Sequence, residues 1–200
     1  NIDPALALFR ASVKLNNENL ESSFVPHNRK LTFTNTFPDA INGVCRITAP
    51  EGWSVTPSVL PVNVNAGETF SKDIAIQLPY NTTAGVKPLK VTFSLPGTVA
   101  GSFTMPVSAR VGLQDVGLQS VAVREGNDIL VQLLVSNYGT RPINYTAFTL
   151  YPGQARQERL VTNLPPGRTT VKRFKFPADN APPDRKIRVG LREIDGNKIL

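Results

Sequence analysis

His27 is the only histidine of the chain and Cys45 the only cysteine, which bounds its nucleophilic and metal chemistry at once. A Ser-His or Cys-His nucleophile would have to use His27, and a zinc site needs several nitrogen or sulfur ligands. His27 lies in Val25-Pro26-His27-Asn28, which reads as a turn carrying a solvated imidazole. Cys45 lies in Val44-Cys45-Arg46-Ile47, where a strand would bury the thiol and send Arg46 to the opposite face. A single cysteine forms no internal disulfide. Hydrolysis of a glycoside would need two carboxyls facing each other, about 5–10 Å apart. Asp39, Glu51, Asp179 and Asp184 instead fall among turn residues, where capping is their ordinary work. There is no Asp-x-Asp-x-Asp-Gly loop, no Gly-x-Gly-x-x-Gly and no phosphate loop. The expectation is no enzyme activity, no cofactor and no metal.

Binding chemistry has more to work with. Trp53 is the only tryptophan and sits in the turn Pro50-Glu51-Gly52-Trp53. An exposed ring there would stack on a sugar, whereas a buried one would fill the core of a sandwich. With few aromatics nearby, core packing is the favoured reading. Tyr80, Tyr138, Tyr145 and Tyr151 fall near strand ends and would either rim a glycan surface or close the sandwich. Lys186, Arg188 and Arg192 share one face of a strand whose Ile187, Val189 and Leu191 share the other. They are candidate contacts for a polyanion. In the strand before, Arg173 and Lys175 alternate with Phe174 and Phe176. An immunoglobulin-like order puts these two strands in opposite sheets, which would spread the cations over two solvated surfaces. No nucleic-acid partner is expected from cations that do not converge. Asn81-Thr-Thr83 and Asn144-Tyr-Thr146 match the glycosylation sequon, which would go unused in a bacterial protein.

The elements that must carry these residues are strands. Apolar residues alternate with period two in short runs, separated by Pro, Gly, Asn and Asp, and no long run has a helical period. Expected strands are Leu8–Leu15, Leu31–Asn35, Val44–Thr48, Ser54–Val64 with two interrupting prolines, Phe70–Leu78, Leu89–Leu95 and Phe103–Val111. A second set follows at Val116–Val123, Ile129–Ser136, Asn144–Leu150, Arg156–Val161, Thr170–Phe176, Lys186–Leu191 and Asn197–Leu200. Charged residues make up 18%, below the usual ~25%, while Pro (17) and Gly (14) are plentiful. The net charge of +7 is uneven: residues 1–110 hold 9 Lys/Arg against 7 Asp/Glu, and residues 111–200 hold 13 against 8. A basic balance favours an anionic partner without bearing on the fold.

An internal repeat divides the chain. Asn35 ends a strand as Asn137 does, Gly67 precedes a long strand as Gly167 does, and Pro79 stops it as Pro177 does, at offsets of 102, 100 and 98. The asparagine is read as tolerating a left-handed corner, the glycine as supplying positive φ, the proline as ending pairing. The fold class expected is all-β, two tandem immunoglobulin-like β-sandwich domains at 1–110 and 111–200, joined by a short linker around Ser108–Gly112.

The stretch Ala49-Pro-Glu-Gly-Trp53-Ser-Val-Thr-Pro57, with Asn65-Ala-Gly67-Glu-Thr69 and Ile74-Ala-Ile76-Gln-Leu-Pro79, resembles the NEW3-type domain found beside catalytic domains of secreted bacterial hydrolases. Val131-Gln-Leu-Leu-Val-Ser-Asn137-Tyr-Gly139-Thr, Phe148-Thr-Leu-Tyr151 and Leu164-Pro-Pro-Gly167-Arg-Thr169 resemble the CARDB adhesion-related module. The run Arg168, Lys172, Arg173, Lys175 is more basic than that module implies. Both resemblances imply an immunoglobulin-like fold, an exported bacterial protein at the cell surface, outside the cell or in the periplasm, and an accessory role. Neither brings catalytic residues.

No cationic segment followed by an apolar one opens the chain, and no run reaches the ~20 apolar residues of a spanning helix. The chain reads as an excised piece or mature C-terminal region of a longer exported protein, partnered by neighbouring domains of that polypeptide, with no membrane insertion. The leading functional expectation is a non-catalytic spacer or support. The second is a module for extracellular polysaccharide or another polyanion, using Trp53, the tyrosines, Lys186, Arg188 and Arg192. A pilus-type periplasmic chaperone is the remote third.

Overall fold

The computed structural model describes residues 3–80, 82–178 and 186–200. Asn81, Asp179 and Asp184, singled out above, lie outside the described residues. The chain divides into two compact units, Asn1–Gly112 and Leu113–Leu200.

The first unit runs α1 (Pro4–Ser12), β1 (Lys14–Leu15), β2 (Asn19–Glu21), β3 (His27–Thr34), β4 (Ile41–Thr48), β5 (Ser54–Thr56), β6 (Val59–Val64), β7 (Thr69–Gln77), β8 (Gly85–Val86), β9 (Leu89–Leu95), β10 (Gly101–Val107) and β11 (Arg110–Gly112). Two four-stranded sheets, β1-β3-β7-β5 and β10-β9-β4-β6, form the sandwich, and a small sheet β2-β11-β8 accompanies them. Alternation places the core: in β9, Leu89, Val91, Phe93 and Leu95 are buried while Lys90 and Ser94 face out. The interrupted run Ser54–Val64 resolves into two strands in different sheets, since β5 pairs with β7 and β6 with β4. Gly43 is required where β4 meets β9: a Cβ there would run into the Ser94 carbonyl oxygen.

The expectation of a strand over Leu8–Leu15 is wrong, because most of it is helix. Asp3 caps α1, its carboxylate accepting from the Ala5 N–H at 2.8 Å and the Leu6 N–H at 3.2 Å, and Pro4 sits where a missing N–H costs nothing. Only Lys14 and Leu15 pair as a strand, with Thr32 and Leu31. The helix delivers Phe9, 0% exposed, between the sheets. Its ring lies 5.1 Å from Phe33 of β3, 5.5 Å from Phe37 and 5.1 Å from Phe93 of β9. Burying such a ring is worth about 1.5–3 kcal/mol. Tertiary packing therefore selects a helix that apolar alternation had hidden.

The second unit runs β12 (Val116–Glu125), β13 (Asp128–Asn137), β14 (Ile143–Leu150), β15 (Gln157–Leu164), β16 (Thr169–Pro177) and β17 (Arg188–Glu193). Its sheets are β12-β13-β16 and β15-β14-β17, around a core of Val131, Leu133, Val135, Ala147, Val161, Leu191, Phe174, Phe176 and Tyr145. Residues 198–200 turn back along β17, with the Leu191 N–H donating to the Leu200 carbonyl at 3.0 Å. The expected strand Lys186–Leu191 begins at Arg188, so Lys186 precedes it. The fold is an all-β tandem of immunoglobulin-like sandwiches.

The repeated asparagines have a different job from the one expected. Neither is left-handed; both are 0% exposed, and each amide clamps a corner. The Asn35 side-chain N–H donates to the Asp39 carbonyl at 2.9 Å and the Val64 carbonyl at 3.0 Å, and its Oδ1 accepts from the Phe37 N–H at 3.0 Å. Asn137 does the same with Arg141 (2.8 Å), Leu164 (2.9 Å) and the Gly139 N–H (2.9 Å). Their backbones continue the match. Asn35 and Asn137 donate to the Glu68 and Arg168 carbonyls and accept from the Gly67 and Gly167 N–H groups. Gly67 (φ 76°) and Gly167 (φ 70°) do occupy the left-handed region. A buried amide with its donors and main acceptor satisfied is a strong constraint, because each group left unpaired would cost about 1–3 kcal/mol.

Candidate functional site

The single imidazole and the single thiol are both buried. His27 opens β3 and is 8% exposed, which corrects the expectation of a solvated turn imidazole. Both His27 and Asn28 of the expected turn belong to β3, and His27 pairs with Ile76 of β7. Burial, and next the Arg29 charge, push its pKa below the ordinary value, against a smaller upward pull from Glu21. Its Nε2 has no hydrogen-bond partner. Cys45 is 0% exposed, and burial pushes its pKa up to about 12, far from the thiolate a nucleophile needs. Among the described residues, no three His, Cys, Asp or Glu side chains gather as a metal site would require.

In the first unit the Trp53 turn and the Phe24–Tyr80 stack adjoin the contact of Gly52 with Pro79. The Trp53 N–H donates to the Pro50 carbonyl at 3.1 Å and Gly52 takes φ 79°, which closes the turn before β5. The Trp53 ring is half-buried against the core, between the two alternatives set out above. Gly52 backs onto Pro79, since a Cβ there would sit 3.4 Å from Pro79 Cγ. The next residue, Tyr80, is 58% exposed and stacks on Phe24 with centroids 4.9 Å apart and planes 5° from parallel. The Gln77 amide fixes this corner by donating to the Phe24 carbonyl at 2.6 Å. Phe24 was missed in the sequence because Ser23-Phe24-Val25 carries no strand alternation.

The cations of the second unit divide between its two sheets. Arg188 and Arg192 are exposed on the outer face of β17, flanking Gly190. Lys186 is exposed just before the strand. Phe148 of β14 fills the place a Gly190 side chain would take, and the Arg156 guanidinium lies 4.1 Å from its ring centroid. Arg156 also bonds Glu158 at 2.8 Å, which neutralises part of this face. Arg173 and Lys175 belong to β16, in the other sheet. The Asp128 carboxylate, 2.8 Å from Lys175 Nζ, raises the lysine pKa through its hydrogen bond and charge. Trp53 belongs to the first unit, and Lys186, Arg188 and Arg192 to the second. The Arg156–Phe148 pairing was illegible because its partners come from different elements.

Open recesses lie on both units. One, of about 380 Å³, is lined by Asp115, Arg141, Glu193 and Lys198, with Lys198 Nζ 3.8 Å from Asp115 Oδ2. The other, of about 600 Å³, lies between Lys14–Glu18 and Met105–Ser108. Each lies within one unit. No described helix is long and apolar enough to cross a membrane.

Residues 26–95 match the family model described as the NPCBM-associated, NEW3 domain of alpha-galactosidase. The matched stretch includes the Trp53 turn, the Asn35 clamp and β3 to β9. No curated protein matches the chain. Among solved structures, the secreted serine protease VesC from Vibrio cholerae is similar at 10% identity and a TM-score of 0.39, over 92% of this chain and 51% of that one. The chain thus spans about half the length of that protease. The CupB2 chaperone of Pseudomonas aeruginosa is similar at 12% identity, TM-score 0.34, over 93% and 97% of the two chains. The E. coli chaperone DraB is similar at 13% identity, TM-score 0.36, over 92% and 91%.

Proposed function

We propose that this chain is a non-catalytic accessory module of a larger exported bacterial protein, holding or supporting a neighbouring domain such as a hydrolase. The observation that carries this reading is the match of residues 26–95 to a domain described by its association with alpha-galactosidase. The buried clamps at Asn35 and Asn137 support it, because a spacer works by keeping its shape under load. The CARDB-like character of residues 111–200 enters on its residue pattern alone. The test compares the parent protein with and without this chain. Turnover of a small soluble substrate should be unchanged, while thermal stability of the neighbour or action on a polymeric substrate should fall. Hydrolysis of a chromogenic glycoside by the isolated chain would overturn the reading.

A second reading is a module that binds extracellular glycan or another polymer. It rests on Tyr80, exposed on the Phe24 ring beside the Trp53 turn. Its test is saturable retention on insoluble polysaccharide that Tyr80→Ala and Trp53→Ala both abolish. Retention unchanged in both variants rejects it.

A further inference from the structure

Sheet edges expose rows of unpaired N–H and C=O groups, and proteins ordinarily guard them with brevity, proline or charge. Nearly every edge of this chain is guarded. In the first unit β1 and β8 have two residues, β2 and β5 three, β6 carries Pro61 and β10 carries Pro106. In the second, β15 carries Glu158 and Arg159, β16 carries Lys172, Arg173 and Lys175, and residues 198–200 cover β17. Among the described residues the longest edge is β12, whose only charges, Arg124 and Glu125, lie at its last two positions. It is ten residues long, has no proline, pairs only with β13 and keeps an unbroken register from Val116↔Asn137 to Glu125↔Asp128. Residues 119–125 are all exposed, with Val121 at 54% and Val123 at 49%.

We propose that β12 is a pairing edge that joins two copies of this chain, antiparallel about a twofold axis through Ala122. The occupant follows from the strand's own sequence. In that register Val121 faces Val123 of the second copy, and Val123 faces its Val121. Four valines then meet on one face, the kind of cross-strand pair that stabilises a sheet. Arg124 falls opposite Ser120 and Glu125 opposite Gln119, so no like charges meet. Centring the pair on Arg124 would oppose two arginines. Centring it on Ser120 would set each valine against a glutamine or a glycine. The edge bears one cation and one anion, Arg124 and Glu125, so the strand itself brings no charge excess to the pairing. A twofold pairing closes on itself and uses up both edges, giving a dimer rather than a fibre.

The experiment is sedimentation of the whole chain across a concentration series, on wild type and two variants. The wild-type mass should rise from that of one chain, 21.8 kDa, toward twice that value. Val121→Lys with Val123→Lys should stay at one chain with its unfolding transition kept, since both side chains are exposed. Ala122→Cys should form disulfide-linked dimers on mild oxidation, well ahead of Val86→Cys on the exposed β8 edge. Wild type remaining single at millimolar concentration would overturn the proposal, and is what a foreign extended peptide as occupant would give. So would a lysine variant that dimerises like wild type, or Ala122→Cys linking no faster than Val86→Cys.

Discussion

Asn35 and Asn137 make the same hydrogen bonds, yet the cores they close have little in common. The first unit packs Phe9, Phe33, Phe37, Phe70, Phe93 and Phe103 around the tip of a helix. The second has no helix among its described residues and fills its sandwich with Val, Leu and Ala around Phe174, Phe176 and Tyr145. The clamp tolerates this because it holds main-chain atoms. Its side-chain oxygen accepts an N–H from Phe37 in one unit and Gly139 in the other, and its main-chain N–H donates to the carbonyl of Glu68 or Arg168. The paired hydroxyls beside it recur too, Thr34 with Thr69 at 3.1 Å and Ser136 with Thr169 at 2.8 Å. Corner geometry and core composition are therefore separable, and only the first was kept in common.

Four substitutions or conditions press on that contrast. Phe9→Ala should cost the first unit about 4 kcal/mol, as large-to-small core changes at aromatic sites do, and leave the second unaltered. Hydrogen exchange resolved by segment reads this directly. Asn35→Ala and Asn137→Ala should each cost their own unit about 3 kcal/mol in chemical denaturation, by stranding two carbonyls and an N–H. Unequal losses would mean the clamp depends on the core it closes. Asp3→Ala should cost about 1 kcal/mol through the lost helix cap, again in the first unit only.

The smallest effect is a pH response. His27 resists protonation when folded, while the unfolded imidazole takes up a proton near its ordinary value of 6.5. The unfolded state then binds more protons, so the first unit's stability is full above that value and falls as pH drops below it. Protonation would also place an N–H at Nε2, where no acceptor stands. Denaturation midpoints between pH 7 and 5 should fall for the first unit and flatten in His27→Gln. An equal slope in that variant would assign the effect elsewhere.

Much of this was legible in the residues. Alternation located most strands within a few positions, and the spacing of Asn35 with Asn137 and Gly67 with Gly167 marked the two corners. The physical role of the asparagines was not legible, because each amide reaches a carbonyl 29 or 27 residues away, at Val64 or Leu164. The helix signature, Asp3 before Pro4, was present but outweighed by the alternation that follows. The aromatic corner failed for another reason: Phe24 stacks on Tyr80, distant in sequence, and is held by a hydrogen bond from Gln77 to its carbonyl that no local pattern announces.

The short strand β11 ends at Gly112, immediately before the second unit begins, and it is stitched on both sides. It runs parallel to β2 and antiparallel to β8, with the Arg110 N–H donating to the Glu18 carbonyl at 2.7 Å and the Ser22 N–H to the Gly112 carbonyl at 3.0 Å. Val111 and Leu20, 2% and 1% exposed, anchor the seam in the core. Tension arriving along the chain at Leu113 must therefore break this doubly bonded selvedge before it can reach the sandwich behind it. The first unit thus ends in a reinforced hem.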